Sequence, residues 1–534
     1  MAKVFIDGEN LSIEDVVAVA RDHVEVEIPQ KVKHKVQRCR QILEDLVKEK
    51  KVVYGVTTGF GALGNIAISP ERIKELQINL IRSHSVGIGK ALDKDVTRAL
   101  MLLRANTLAK GNSGVRFETL ETLVQMINKG VHPVIPEKGS VGASGDLAPL
   151  SHMTLVMIGE GEAEYNGEKM SGKEAMKRAG IPPVELGSKE GIALNNGTQM
   201  MTAIAALTLH DAERLVKTAE IAAALSLEAL SGISDAFDER IHQARPHPGQ
   251  ITSAQNIESL ISGSKIIKLS GEVIKTNAAR PPQDPYSLRC TPQVLGVARD
   301  TLSHVRRIIK TEINSATDNP LIFVEDKTCL SGGNFHGQPI SVAMDMLGIA
   351  LTIIGNISER RIARLIDENL SQGLPAFLIP KEVTKGIHSG FMTAQYTAAA
   401  LTSENKTLAH PASVDSIPTS ANFEDFVSMG SIAARKAMEI LRNTEHIVAI
   451  ELLCAVQGVD FRGPNKLGKG TRAAYSLIRK KVPMLMEDRV LTKDIEDVVE
   501  LTRGEELLHI VDMLVRKVRQ LEKHNNVHST FHGN

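Results

Sequence analysis

Tryptophan is absent from this chain, and its 5 tyrosines and 12 phenylalanines make aromatic side chains only 3% of 534 residues. A basic excess is absent too, because 63 Lys and Arg balance 63 Asp and Glu. Nucleic-acid binding needs cations against phosphates and, for single strands, rings for bases to stack on, so neither shortage suits it. Cysteine is sparse: Cys39, Cys290, Cys329 and Cys454 lie far apart, with no CxxC pair for a zinc site and no pattern of a disulfide framework. Long apolar runs are missing as well. The stretch Leu347 to Ile357 falls well short of the ~20 residues that span a bilayer, and Asp7 interrupts the N-terminus before a signal peptide can form. These absences imply a cytoplasmic, soluble protein with neither nucleic acid nor membrane as partner.

What is present is ordinary globular material, 42% hydrophobic and 24% charged, which argues against disorder. Three long segments dominate: Ala203 to Ile233, Pro339 to Ile366, and Gly430 to Val459. Each is apolar over most of its circumference, and a helix of that kind must be buried among other helices. At 1.5 Å per residue each runs roughly 40 Å. The expected fold class is therefore all-α (mainly α), a long central helical bundle with a smaller N-terminal mixed part. The expected division is 1–200, a central bundle over 201–465, and a C-terminal helical part over 466–534. Strand signals are confined to Lys51–Thr57 and Leu321–Val324.

Two patterns are discounted. Gly59-Phe60-Gly61-Ala62-Leu63-Gly64 matches the dinucleotide glycine motif, but the helix signal begins only at Ser69-Pro70-Glu71, too late to present its N-terminus to a pyrophosphate. His524, His528 and His532 recur at a spacing of four like metal ligands, yet they sit in a terminal stretch rich in Asn and Gly, and no metal is expected.

The most informative run is Gly139-Ser140-Val141-Gly142-Ala143-Ser144-Gly145-Asp146-Leu147-Ala148-Pro149-Leu150-Ser151-His152. Glycines at every third position let the backbone approach itself closely. Within it, Ala143-Ser144-Gly145 is a tripeptide able to cyclise, since no Cβ beside the Gly145 nitrogen blocks its attack on the Ala143 carbonyl. Loss of the Ser144 hydroxyl then leaves a carbon–carbon double bond conjugated to a carbonyl, an electrophile that no side chain supplies.

This run resembles the signature of the aromatic amino acid ammonia-lyases, whose methylidene-imidazolone group (MIO) forms from Ala-Ser-Gly. The resemblance covers nearly the whole chain, through motifs in the same order. They are Tyr54-Gly55-Val56-Thr57-Thr58-Gly59-Phe60-Gly61, Ser83-His84, the Ala-Ser-Gly run and Asn195-Asn196-Gly197-Thr198-Gln199. Gln283-Asp284-Pro285-Tyr286-Ser287-Leu288-Arg289-Cys290, Gly333-Asn334-Phe335-His336-Gly337-Gln338-Pro339 and Glu424-Asp425-Phe426-Val427-Ser428-Met429-Gly430 follow. The family implies an autocatalytic MIO from Ala143, Ser144 and Gly145, no external cofactor, and a homotetramer whose sites draw on more than one subunit. It implies Tyr54 as catalytic base on a closing loop, Arg289 as the fork on the substrate carboxylate, and Asn196, Gln283 and Tyr286 as polar neighbours. Phe335 packs near the MIO by the same resemblance. A phenol with a reference pKa of about 10 is a poor base at neutral pH, so the site is expected to lower that of Tyr54.

The small-molecule substrate expected within the family is histidine, giving trans-urocanate and ammonia. Ser83-His84 resembles the histidine-enzyme pair, and Glu424 stands where enzymes for aryl substrates usually carry Gln. A carboxylate pairs with an imidazole N–H and holds the ring in one state, which an amide does less well. Thr57, Phe423 and Phe426 depart from the histidine pattern. The alternatives are a tyrosine or phenylalanine ammonia-lyase or a 2,3-aminomutase of the same family, or, in another class, a non-catalytic helical scaffold.

Overall fold

The computed structural model describes residues 3–49, 51–276, 280–381, 386–509 and 512–513. The terminal histidines therefore lie outside the described residues. Helix takes 61% and strand 7%, which places the chain in the expected mainly helical class. The helices include α1 (Ile73–His84), α2 (Leu147–Met157), α3 (Gln199–Ala229), α4 (Thr291–Glu312), α5 (Gln338–Ile366) and α6 (Gly430–Arg462).

The three apolar segments become α3, α5 and α6. Helix α3 stops at Ala229, before the apolar pattern ends, because Ser231 turns left-handed and the Gly232 N–H folds back onto the Leu227 carbonyl. Helix α5 is long and apolar enough to cross a membrane, yet 72% of that stretch is buried inside the fold. Helix α4 hides its signal among charges. Leu295, Ala298, Leu302, Val305 and Ile309 make a buried stripe at helical spacing, while Arg299, Arg306, Arg307 and Lys310 break up the apolar run around them.

The strand expected at Lys51–Thr57 is absent; residues 54–57 form turns. The Thr57 hydroxyl accepts the Val53 N–H at 2.9 Å and donates to the Lys51 carbonyl at 3.1 Å, and Gly55 takes φ +66°. Local side-chain bonds thus satisfy the backbone that a ladder would otherwise have paired. The strand expected at Leu321–Val324 forms over Leu321–Phe323 and pairs antiparallel with Thr328–Leu330.

The chain forms two compact units. One comprises Met1–His210, His304–Met346 and Pro411–Met438; the other comprises Asp211–Ser303, Leu347–His410 and Glu439–Asn534. All sheets among the described residues belong to the first unit, each of two or three short strands. The second unit is helical, and its middle holds a buried charge. Arg361 on α5 donates to both oxygens of Glu451 on α6, and Ser226 of α3 and Ser358 of α5 each donate to one of the same oxygens, at 2.7 and 2.6 Å. Both charged side chains are fully buried. With every carboxylate lone pair engaged, the pair fixes how the three helices align rather than adding much net stability.

Removing one partner leaves the other charge buried alone. Arg361→Ala is expected to lower stability by roughly 3–5 kcal/mol, read as an earlier midpoint in urea unfolding. An unchanged midpoint contradicts this role.

Candidate active site

The loop Ser140–Asp146 is held between two helix starts. On one side Gly145 bridges Gly197, the Asp146 N–H donates to the Gly197 carbonyl at 2.6 Å, and the Asp146 carboxylate accepts the Met201 N–H of α3 at 2.9 Å. On the other, the Ser428 hydroxyl donates to the Gly142 carbonyl at 2.9 Å, Ser431 donates to the Ser140 carbonyl at 2.7 Å, and the Met429 N–H donates to Val141 at 2.8 Å. Gly142 and Gly145 take φ +68° and +75°, and a Cβ on Gly145 would collide with the Gly197 carbonyl. Glycine is required there for both space and conformation. Met201 lies against Gly337 and Gly430, so the first turns of α3, α5 and α6 meet at the base of this loop. Helix N-termini carry partial positive charge, which favours electron density above them.

A buried arginine backs this arrangement. Arg104, on the helix Lys94–Ala109, donates from Nη1 to the Asn196 carbonyl at 2.8 Å, Gln199 Oε1 at 2.9 Å and the Thr317 carbonyl at 3.2 Å. It is fully buried, and burial lowers its pKa to about 10, with Asp318 opposing the fall. Lys189 and Asp318, both inaccessible, pair at 2.7 Å in the same unit.

Above the loop opens a cavity of about 570 Å³ lined by Tyr54, His84, Ala143, Ser144, Asn196, Phe335 and Glu424 among others. These are the residues expected from the sequence of this unit, with Gly145 directly behind Ser144. The Ser144 hydroxyl donates to Glu424 Oε1 at 2.6 Å, and Asn196 Nδ2 donates to the Ser144 carbonyl at 3.0 Å. Asn196 Oδ1 and Asn195 Oδ1 are buried without a hydrogen-bond partner, two unused acceptors beside the loop. The second Glu424 oxygen accepts the Thr419 hydroxyl at 2.9 Å. Between these two residues Ser420, Ala421 and Asn422 take φ +53°, +53° and +68°, a run of left-handed residues that costs on the order of 1 kcal/mol each. That turn, closed by a Thr419–Glu424 bridge, aims the carboxylate at Ser144.

The Tyr54 hydroxyl accepts the Gly61 N–H at 2.7 Å. Burial raises its pKa, the Gly61 bond opposes the rise, and Glu424 adds to it. The expected lowering is thus reversed within one chain, for a physical reason: the cavity lining includes neither Lys nor Arg. His84 sits at the end of α1 with Nδ1 at 2.9 Å from the Leu80 carbonyl, and burial holds its pKa below the ordinary value, with Leu80 and Glu424 opposing. Nδ1 is then the donor of a neutral ring, and Nε2 is left as an acceptor.

Of the three departures from the histidine pattern, Thr57 is spent on its own turn and is absent from the lining. Phe423 and Phe426 do line the cavity, 61% and 62% exposed, and Phe426 stacks on His336 with ring centroids 6.1 Å apart. The glycine motif at residues 59–64 holds only a single 3-10 turn, Gly61–Leu63, and the next α-helix begins at Ile73.

Gln283, Tyr286 and Arg289 belong to the other unit and are not part of this lining. Gln283 and Arg289 line a second cavity of about 250 Å³ there. Arg289 lies 4.6 Å over the ring of Tyr286, which is 70% exposed, and Arg289 Nε is buried without a partner. Sequence reading passed over Arg104, Asp146 and Thr419 as site residues. The signal for Arg104 was a lone arginine inside the apolar run Leu102-Leu103-Arg104-Ala105.

Residues 11–480 match the family model of the aromatic amino acid lyases. A histidine ammonia-lyase of Alkaliphilus oremlandii is 57% identical over 96% of this chain and 99% of its own length. Among solved structures, histidine ammonia-lyase from Trypanosoma cruzi is 40% identical with a TM-score of 0.88, covering 97% of each chain. Tyrosine aminomutase from Streptomyces globisporus is 43% identical with a TM-score of 0.91, over 96% of this chain and 99% of that one.

Burial raises the Asp146 carboxyl to about 7, against the Met201 N–H and the Ser140 hydroxyl, which favour the charged form. Between its ordinary 3.8 and about 7 the folded chain therefore holds a proton that the unfolded chain has released. The stability this contributes is complete below pH 3.8 and is lost as pH rises through 7. Asp146→Asn cannot titrate, so its urea midpoint relative to the unmodified chain is expected to improve steadily across that range. A difference independent of pH contradicts the assignment.

Proposed function

Because the chain belongs to the aromatic amino acid lyase family and is a carbon–nitrogen lyase, we propose that its reaction is the removal of ammonia from L-histidine to leave trans-urocanate. The observation that carries this reading is the Glu424 carboxylate in hydrogen-bond contact with Ser144, inside one cavity with Tyr54 and His84. The relative from Alkaliphilus oremlandii supports the same substrate.

An MIO group from Ala143, Ser144 and Gly145 fits the residues around it. The loop is bent through glycines that tolerate no Cβ, Asn196 already donates to the central carbonyl, and the orphaned Asn195 and Asn196 oxygens wait beside it. The group supplies a carbon electrophile for the substrate amine, which makes ammonia a better leaving group. The chain's own residues do the rest. Asn196 and the converging helix starts hold electron density on the Ser144 carbonyl oxygen. Tyr54 takes the β-proton on its hydroxyl oxygen, where the Gly61 N–H stabilises the phenolate. Glu424 accepts an imidazole N–H, and His84 Nε2 faces the substrate as a neutral acceptor. Phe60, Phe335, Phe423 and Phe426 limit water around the reacting atoms.

The working form is a cytoplasmic homotetramer in this reading. The exposed Tyr286, with Gln283 and the Arg289 fork, completes the site of a neighbouring copy and grips the substrate carboxylate. An arriving guanidinium also provides what lowers the Tyr54 phenol, a cation that the cavity of a single chain lacks.

A second reading, an aryl substrate or an aminomutase, draws on Phe423 and Phe426 as an apolar wall and on the Streptomyces globisporus enzyme. One panel with L-histidine, L-tyrosine and L-phenylalanine separates the two. Histidine is expected to lead in kcat/KM by at least about a hundredfold, with urocanate and ammonia formed in equal amounts; turnover confined to the aryl substrates, or a β-amino acid as product, overturns it. Ser144→Ala is expected to keep its encoded mass and its assembly while losing turnover. Full activity in that variant removes Ser144 from the chemistry.

A further inference from the structure

Forming a double bond at Ser144 requires its hydroxyl to leave, and hydroxide leaves carbon poorly unless a proton reaches the oxygen. The hydrogen bond that Ser144 Oγ makes runs to Glu424 Oε1, at 2.6 Å. Four other titratable side chains line the cavity: Tyr54, His84 and His336 are tied to the Gly61 amide, the Leu80 carbonyl and the Phe426 carbonyl, and the fourth is Asp425, next to Glu424 in the chain. The Glu424 carboxylate is in turn held from its far side by Thr419 and aimed by three left-handed residues. This strained and doubly anchored carboxylate is trained on the serine oxygen before any substrate arrives.

We propose that Glu424 is the catalytic acid–base of the chain's own maturation, carrying out the second dehydration. The proposal rests on the reading that Ala143-Ser144-Gly145 cyclises. Ring closure joins the Gly145 nitrogen to the Ala143 carbonyl carbon and releases the carbonyl oxygen, with the hydrogens of the Gly145 and Ser144 nitrogens, as the first water, leaving a C=N bond between the Ala143 carbon and the Ser144 nitrogen. The Ser144 Cα–H then lies between a carbonyl and a C=N bond and becomes acidic. Glu424 takes that proton, the released electron pair forms the Cα=Cβ bond, and the Cβ–Oγ bond breaks. The departing hydroxide takes the proton back from the Glu424 carboxyl and leaves as the second water. Glu424 ends as the carboxylate it began as, and no oxidant or other reactant is consumed.

Intact mass tests this without reference to turnover, because each dehydration is counted separately. The unmodified chain, Glu424→Gln and Thr419→Val are sampled over time after synthesis, with circular dichroism and gel filtration to show that each has folded. The unmodified chain is expected to finish two waters lighter than encoded, and Glu424→Gln to stop at one water lighter, its ring closed and its hydroxyl retained. Thr419→Val, which loses one hydrogen bond to the carboxylate, is expected to lose its second water about tenfold more slowly. Glu424→Gln finishing two waters lighter at the original rate overturns the proposal. So does Glu424→Gln retaining its full encoded mass, since the carboxylate would then act before ring closure. Should Glu424→Gln fail to fold, Thr419→Val decides alone, and a second water lost at the unmodified rate overturns the role. An unmodified chain that is not two waters lighter removes the cyclisation reading itself, a different failure.

Discussion

The approach of Gly145 to Gly197 is the constraint on which this site depends. Two glycine backbones meet where neither can carry a Cβ, with the Asp146 N–H locked to the Gly197 carbonyl at 2.6 Å. Such closeness persists only if both loops are held from behind. Arg104 holds one, spending its guanidinium on carbonyls and an amide rather than on a carboxylate. Ser428, Met429 and Ser431 hold the other from the start of α6. The loop is thus bent by the fold and not by its own preference, which is the preorganisation a backbone reaction requires.

Each unit also buries charge of its own. Arg361 and Glu451 set the alignment of three helices in the second unit, while Arg104, Lys189 and Asp318 are buried in the first. Each is fully or nearly fully inaccessible and each is hydrogen-bonded, as buried charge must be. Glu424 differs. It sits at the cavity, joined to Ser144 on one oxygen and Thr419 on the other, and its turn stores strain of the sort found at functional sites. In the proposed reading that one carboxylate serves two events in sequence, first the loss of the serine hydroxyl and then the hold on an imidazole.

Much of this was legible in the sequence because its signals are local. A helix apolar all round must be buried, so α3, α5 and α6 could be read directly, and α4 was harder because its charges interrupt a narrow stripe. Cavity residues were legible through motifs, each a short run such as Asn195-Asn196-Gly197 whose neighbours in the chain are also neighbours in space. What escaped was of longer range. Arg104 acts on carbonyls that fold topology brings to it, and Thr419 acts through a turn whose left-handed residues include no glycine to announce them. The strand expected at Lys51–Thr57 failed because Thr57 reads as β-branched while its hydroxyl closes a turn. The lowered phenol failed in one chain because the cation it requires is not among the residues beside it.

In the proposed reaction the substrate amine meets residue 144 and its imidazole meets Glu424. A crystal structure of the Ser144→Ala chain with L-histidine bound tests that most directly. It is predicted to show an imidazole nitrogen within hydrogen-bond distance of the Glu424 carboxylate and the α-amino group against residue 144, with Arg289 of a neighbouring copy on the carboxylate. An imidazole turned away from Glu424, packed instead between Phe423 and Phe426, would contradict it.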